Sequence, residues 1–273
     1  AAKTGAAAID ESLLDVPHPP SILQLLEQHP AIDLPFPVFL SMLTPMRIRQ
    51  YSISSSALLD PNKARIVYSV VNADPQYLGV ATNYLKALTP GSTVQVTIKK
   101  SHASFHLPAD LATPILMLCA GTGLAPFLGF IEERVARIAK AGVKPSEVGE
   151  AVLFAGCRDP DQDRLYAEEL DRWQRDGVVK VYYAFSRRPE KSAGCKYAQD
   201  RLWAERDEAS RLFSEGARAY ICGSAALGRG IAEVVAKIAV ARAKAHDKDI
   251  TFDEGLKWWE SLRGERYAVD VFD

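Results

Sequence analysis

From residue 115 onward the chain alternates short apolar runs with longer stretches of helical periodicity, and no other feature narrows its fold as much. The runs are ILMLCA (115–120), AVLFAG (151–156), VVKVYYAFS (178–186), ARAYIC (217–222) and RYAVDVF (266–272). Each reads as a strand. Between them, apolar residues recur at helical spacing: Phe127, Phe130, Ile131, Val135 and Ile138 after the first run, and FDEGLKWWESLR (252–263) before the last. Strand–helix alternation of this kind predicts an α/β domain, a parallel sheet with helices on both faces. Ligands of such sheets bind beyond the carboxyl ends of the strands. Those ends carry Gly121–Gly123, Gly156–Arg158, Ser186–Arg187, Cys222–Ser224 and Asp270–Phe272.

The turn at Gly121, Thr122 and Gly123 joins a strand to a helix, whose first N–H groups suit a phosphate. It lacks the Lys-Ser/Thr of the Walker loop and the spacing of G-x-G-x-x-G. Taken alone, an ordinary tight turn fits it equally well.

Upstream the rhythm differs. SILQLLEQHP (21–30) and FPVFLSML (36–43) have the pattern of short amphipathic helices, and VATNYLKAL (80–88) that of a third. RIRQYSISS (47–55), ARIVYSVVN (64–72) and STVQVTIKK (92–100) read as strands, the last alternating Val94, Val96 and Ile98 with polar residues. PADLATP (108–114) supplies two prolines between the regions. The expected organisation is therefore a leader and helical segment (1–45), a β-rich domain (46–112) and the α/β domain (113–273).

The remaining composition mostly excludes. A formal net charge of −1 gives no general attraction to nucleic acid or anionic membrane. There is neither a signal-peptide pattern nor an apolar run of membrane-spanning length, so the expected location is cytoplasmic. The four cysteines (Cys119, Cys157, Cys195, Cys222) form no C-x-x-C pair and the five histidines no ligand cluster, so no metal site is expected. Trp258 and Trp259 read as helix packing, and AERDEASR (204–211) as a solvated helix face.

RQYS, GVATNYL, AGTGLAPF, FAGCRDPDQDRLYAEEL, AFSR, KYAQ and YICGS occur in that order. Together they resemble the ferredoxin–NADP reductase-like module of the diflavin reductases. Within that family the chain is most similar to the C-terminal reductase part of self-sufficient fusions of a cytochrome P-450 with its reductase. The resemblance implies an antiparallel FAD-binding barrel followed by a Rossmann-like NADP-binding domain. It implies FAD and NADPH as cofactors. An FMN-binding domain and a haem monooxygenase domain would be partners in a longer chain, of which this one looks like a fragment.

The resemblance also assigns roles. Arg49 and the segment Gly79, Val80, Ala81, Thr82 would hold the FAD pyrophosphate. Tyr51 would lie on the flavin ring, Ser52 would bond near N5, and Phe272 would cover the face where nicotinamide arrives. Gly121, Thr122, Gly123 and Arg158 would bind the NADPH pyrophosphate. Ser186, Arg187, Lys196, Tyr197 and Gln199 would take the 2′-phosphate. Ser52, Cys222 and Asp270 would serve hydride transfer, Asp270 by stabilising the cationic nicotinamide.

Three departures from the family pattern stand out: Phe272 where Trp is usual, Ser224 where an Asp contacts the nucleotide, and Cys195 where a Lys precedes the tyrosine. Other acceptors, such as a sulfite-reductase haem system, remain open, as does a nucleotide-binding fragment without turnover. A Rossmann dehydrogenase acting on a small substrate leaves RQYS and GVATNYL unexplained.

Overall fold

The computed structural model describes residues 20–74 and 77–272. The chain divides into two compact units, residues 1–50 and 51–273. The described part of the first holds two short helices, α1 (Ile22–Gln28) and α2 (Phe36–Met42), where amphipathic patterns predict them. Ser21 caps α1, its hydroxyl accepting from the Gln24 N–H while the Gln24 side chain returns the bond. Neither helix buries a residue.

The second unit is dominated by a five-stranded parallel sheet in the order β5-β4-β3-β6-β7. Its strands are β3 (Ile115–Ala120), β4 (Ala151–Cys157), β5 (Lys180–Phe185), β6 (Arg218–Gly223) and β7 (Tyr267–Val271). All five apolar runs form strands, and helices cover both faces. Alternate residues divide between two cores. Ile115, Met117 and Cys119 pack with Phe127, Leu128 and Ile131 of α4 (Ala125–Ala141) and with Leu170 and Trp173 of α5 (Ala167–Arg175). Leu116 and Leu118 face the other way. They meet α6 (Ala198–Ala204), α7 (Arg206–Ser214), α8 (Ala225–Ala245) and α9 (Phe252–Ser261). Burial on both sides is why these strands are apolar at nearly every position. The helical spacing after Leu124 has its cause here: Phe127 and Ile131 are fully buried and Ile138 nearly so.

Helix ends follow the chain chemistry. Gly142 ends α4 at φ 67°, and Thr251 with Glu254 makes a reciprocal cap on α9. Trp259 is buried, its ring 3.9 Å from that of Tyr267, whereas Trp258 stays partly exposed. The segment AERDEASR supplies most of α7, which turns Ala209 and Leu212 inward and its charges outward.

The expected strands upstream do not become a barrel among the described residues. Residues 47–55 and 64–72 share one antiparallel bridge, Ile53 with Ile66. Among the described residues the only antiparallel ladder is the short pair β1 (Asn72–Asp74) and β2 (Tyr77–Leu78). Residues 92–100 form no strand, and Val96 and Ile98 are each 79% exposed. Alternation marks which side chains a strand would bury, but burial needs a covering layer, and none of the described residues supplies one. The helix expected in VATNYLKAL is present as α3 (Val80–Ala87). A loop ahead of the sheet is tied firmly to it. Phe105 is buried against Phe127 and Tyr220, the Tyr220 hydroxyl donates to His106 O, and Arg218 Nη2 donates to Ser104 O at 2.8 Å.

Candidate nucleotide and hydride-transfer site

The chain leaves β3 toward β4 and β5, then returns to place β6 on the other side of β3. The strand order therefore reverses between β3 and β6, where an open α/β sheet forms its ligand crevice. Gly121–Leu124 makes one 3-10 turn at this point and leads directly into α4. Its two glycines are required for different reasons. Gly121 has φ 54° with open space where a Cβ would stand, so its need is conformational. Gly123 has ordinary angles, but a Cβ there would lie 2.2 Å from Cys222 O. Its need is close approach of the turn to the end of β6.

Three residues assigned to hydride transfer converge at the same edge. Cys222 pairs in register with Cys119 on β3 and with Asp270 on β7. Ser52 arrives from far upstream, and its Oγ donates to Asp270 Oδ2 at 3.2 Å. Cys222 is fully buried. Burial, and then the Asp270 carboxylate, push its thiol far above the usual range, so it acts as a neutral group. Phe272 is exposed, while its backbone N–H donates to Gly223 O at 2.9 Å. The ring thus stands beside the crevice on a backbone that is held.

At the ends of β4 and β5, Asp163 organises one loop. Its carboxylate accepts from the Arg158 N–H at 2.9 Å and the Asp159 N–H at 2.6 Å, and it pairs with Arg158 Nε at 3.3 Å. Ser186 N–H donates to Cys157 O and Arg187 N–H to Arg158 O, so the two loops run side by side. The neighbouring arginines differ sharply. Arg188 pairs with Glu190 at 2.9 Å and lies within 3.9 Å of Asp159 and Asp161. Arg187 is exposed and pairs with no carboxylate among the described residues.

Lys196 and Tyr197 are exposed, and both their N–H groups donate to Asp200. Gln199 behaves otherwise. Its amide packs on Gly230 of α8, and its Oε1 is buried with no partner among the described residues. Cys195, at the position where the family pattern has Lys, is buried. Its backbone carbonyl accepts from the Ser192 hydroxyl at 2.7 Å. Ser224, standing for the usual Asp, caps α8 by accepting from the Leu227 N–H at 3.3 Å.

The resemblance assigns Arg49, Tyr51 and Gly79–Thr82 to FAD. Tyr51 is half-buried edge-on against Tyr68, with ring centroids 6.0 Å apart. Gly79 precedes α3 and packs tightly on Val71, where a Cβ would fall 2.7 Å from the Val71 Cβ. Val80 and Ala81 follow in the first turn of α3. Thr82 Oγ1 accepts from the Val71 N–H at 3.0 Å. Asn83, which sequence reasoning passes over, clamps this start by donating to Val71 O and Gly79 O. Arg49 lies in the first unit, exposed, its Nη1 donating to Arg47 O.

Two observations at the crevice suit a nicotinamide nucleotide with a 2′-phosphate: the exposed Arg187, which pairs with no carboxylate among the described residues, and the exposed Tyr197. At the α3 turn Gly79 is required by its packing on Val71.

Comparison with known proteins finds a nucleotide-binding and a flavin-binding domain in the chain. Residues 117–233 match the oxidoreductase NAD-binding domain and residues 4–84 the FAD binding domain. A bifunctional cytochrome P450/NADPH–P450 reductase of Fusarium oxysporum is 44% identical over 259 residues, which is 93% of this chain and 24% of that protein. A protein of the same description from Acremonium egyptiacum is 45% identical, with 92% of this chain and 24% of the relative covered. A self-sufficient cytochrome P450 monooxygenase of Phanerodontia chrysosporium is 43% identical, with 93% and 24% covered. The chain spans about a quarter of the length of these relatives.

Proposed function

We propose that this chain, which belongs to the diflavin reductase family and is an FAD- and NAD(P)-binding oxidoreductase module, takes a hydride from NADPH onto FAD. It then relays electrons through an FMN-binding domain to a haem monooxygenase. The observation that carries the reading is the meeting of Ser52 with Asp270 beside Cys222, at the switch point of a nucleotide-binding sheet. FAD supplies the hydride-accepting chemistry. The chain's own residues bind, orient and balance charge. Asp270 places a carboxylate where nicotinamide becomes cationic, an interaction stronger in the transition state than in the ground state. Ser52 holds that carboxylate by donating to it. The neutral Cys222 thiol supports the ring without adding charge. Gly121, Thr122, Gly123 and Arg158 hold the NADPH pyrophosphate. Arg187, free of acidic partners among the described residues, receives the 2′-phosphate together with Ser186, Lys196 and Tyr197. Arg49, Tyr51 and Gly79–Thr82 hold FAD, with Phe272 against the flavin face.

In the longer protein the segments 47–55, 64–72 and 92–100 belong to an antiparallel FAD barrel, and the three regions 1–45, 46–112 and 113–273 act as connecting segment, FAD domain and NADP domain. Among the described residues no helix is long and apolar enough to cross a membrane. This is compatible with the cytoplasmic placement we assign. One observation favours a second reading, a nucleotide-binding fragment without turnover: Val96 and Ile98 stand exposed rather than inside a barrel.

The test is direct. The chain is reconstituted with FAD and mixed anaerobically with NADPH. Bleaching of the flavin band, faster with NADPH than with NADH, is the expected result. Tight NADP⁺ binding by a chain that takes up no FAD would instead select the second reading.

A further inference from the structure

Segment 51–56 carries Tyr51 and Ser52, yet a single bridge at Ile53 is all the sheet pairing it has. Something else must set its place. Ser54 and Ser56 are buried, at 0% and 6% exposure, so their polar groups need partners. Arg65 and Glu132 supply them. The Ser54 N–H and hydroxyl both donate to Arg65 O, at 2.7 and 3.0 Å. Arg65 Nε donates to Ser54 Oγ at 3.1 Å and its Nη2 to Ser54 O. The same Nη2 lies 2.7 Å from Glu132 Oε1, while Glu132 Oε2 accepts from the Ser56 N–H at 2.9 Å. The Arg65 guanidinium also sits 4.9 Å from the centre of the Tyr166 ring, at the start of α5. Gly129, one helical turn before Glu132 on α4, lets that helix approach Ile53 O and Ser55 O; a Cβ there would stand at 3.4 Å from each. One guanidinium therefore ties the flavin-facing segment to α4, which continues the glycine turn, and to the segment that follows the Arg158–Asp163 loop.

We propose that the Arg65–Glu132 pair is a positioning device that holds segment 51–56 against the nucleotide domain so that Ser52 meets Asp270 in the geometry hydride transfer requires. This rests on the reductase reading above. Neither residue touches the reacting atoms. Their action passes through Ser54 and Ser56 to Ser52. The Glu132 side chain is 13% exposed and that of Arg65 35%, so solvent replaces the lost contact poorly. Misplacing a reacting group by about 1 Å costs about a hundredfold in rate, whereas the nucleotide-binding residues lie on other loops and keep their contacts.

The test compares Glu132→Gln, Glu132→Ala and Arg65→Lys with the parent. Hydrogen exchange on the chain without cofactor reads the positioning itself. The 51–56 amides are expected to exchange about tenfold faster in Glu132→Ala, and less so in Glu132→Gln, which keeps an acceptor for Ser56. On the FAD-reconstituted chain, rapid mixing with NADPH should show flavin reduction slowed about ten- to a hundredfold, with NADP⁺ affinity within about twofold of the parent. Arg65→Lys keeps the charge but loses the fork, and serves if the glutamate variants melt. Unchanged exchange at 51–56 while the parent is reduced normally overturns the role of the pair alone. Parallel loss of affinity, rate and melting temperature in all three variants makes it a stabilising pair and overturns the proposal too. A parent that neither holds FAD nor is reduced by NADPH overturns the reductase reading, and this proposal with it.

Discussion

Gly123→Ala probes the switch point most directly. The added Cβ would stand 2.2 Å from Cys222 O, 2.7 Å from Cys222 C and 3.0 Å from the Gly223 Cα. Ordinary contact begins near 3.4 Å, so the overlap with the carbonyl is about 1 Å. All three atoms are backbone, and no flexible side chain can move aside. Cys222 pairs with Cys119 on one side and with Asp270 on the other. Relief by moving β6 breaks ladder bonds, each contributing about 1 kcal/mol net. Relief by moving the turn strains the start of α4, where Leu124 and Phe127 are buried. Either route costs about 2–4 kcal/mol, at the upper end of overpacking effects. Gly121→Ala is the internal control. Its Cβ meets nothing, so only the left-handed conformation is penalised, by about 1–2 kcal/mol. Urea titration of both variants gives the midpoint shift at constant slope. Gly123→Ala should lose clearly more stability than Gly121→Ala. An equal loss, or a Gly123→Ala variant within about 0.5 kcal/mol of the parent, would refute the steric account of this turn.

Arg187→Ala should weaken NADP⁺ binding about ten- to a hundredfold, the equivalent of a charge-assisted hydrogen bond of about 1.5–3 kcal/mol, and leave NAD⁺ binding nearly unchanged. Titration calorimetry showing equal losses for the two nucleotides would remove Arg187 from the 2′-phosphate site. Phe272→Ala keeps the backbone bond to Gly223 and should narrow the preference for NADPH over NADH, read as the ratio of kcat/KM values; a constant ratio argues against a lid. The thiols impose a pH dependence. Burial raises Cys157 to about 12 and pushes Cys119 and Cys222 upward as well, so the native state keeps protons that the unfolded chain releases above about pH 9. Their contribution is complete below that pH and is lost as pH rises toward the native values. Urea midpoints should therefore fall between pH 9 and 11, and less steeply in Cys157→Ala; an identical slope in that variant would show that Cys157 is not among the groups responsible.

The parallel sheet was readable from sequence because its strands are buried on both faces, which leaves an apolar run as a direct trace. The FAD region was less so. Val94, Val96 and Ile98 carry a strand's alternation, yet alternation describes one chain's preference and says nothing of whether a second layer covers it. The site divides in the same way. Strand ends mark Gly121–Gly123 and Ser186–Arg187 without any structure. Asp270 is marked by its strand end and Ser52 by the family resemblance, but their hydrogen bond, across 218 positions, is visible only in the structure. Arg65 and Glu132 gave no signal at all, because an isolated charge in an upstream segment and one acid of a helical Glu-Glu pair look like solvated surface.

Arg187 and Arg188 show what geometry adds at the level of single residues. Adjacent arginines after a strand are equivalent in a sequence, and both are compatible with a phosphate. Arg188 is already occupied by Asp159, Asp161 and Glu190, and this company raises its pKa, chiefly through the bond to Glu190. A phosphate reaching Arg188 must compete with three carboxylates, and their repulsion acts on the incoming anion as well. Arg187 has no such competitors among the described residues, and its backbone N–H is fixed by the bond to Arg158 O at 2.9 Å. The acidic residues around Arg188 thus do two things at once. They anchor the loop that carries Arg187, and they leave Arg187 without a carboxylate partner among the described residues, as the proposed 2′-phosphate role requires.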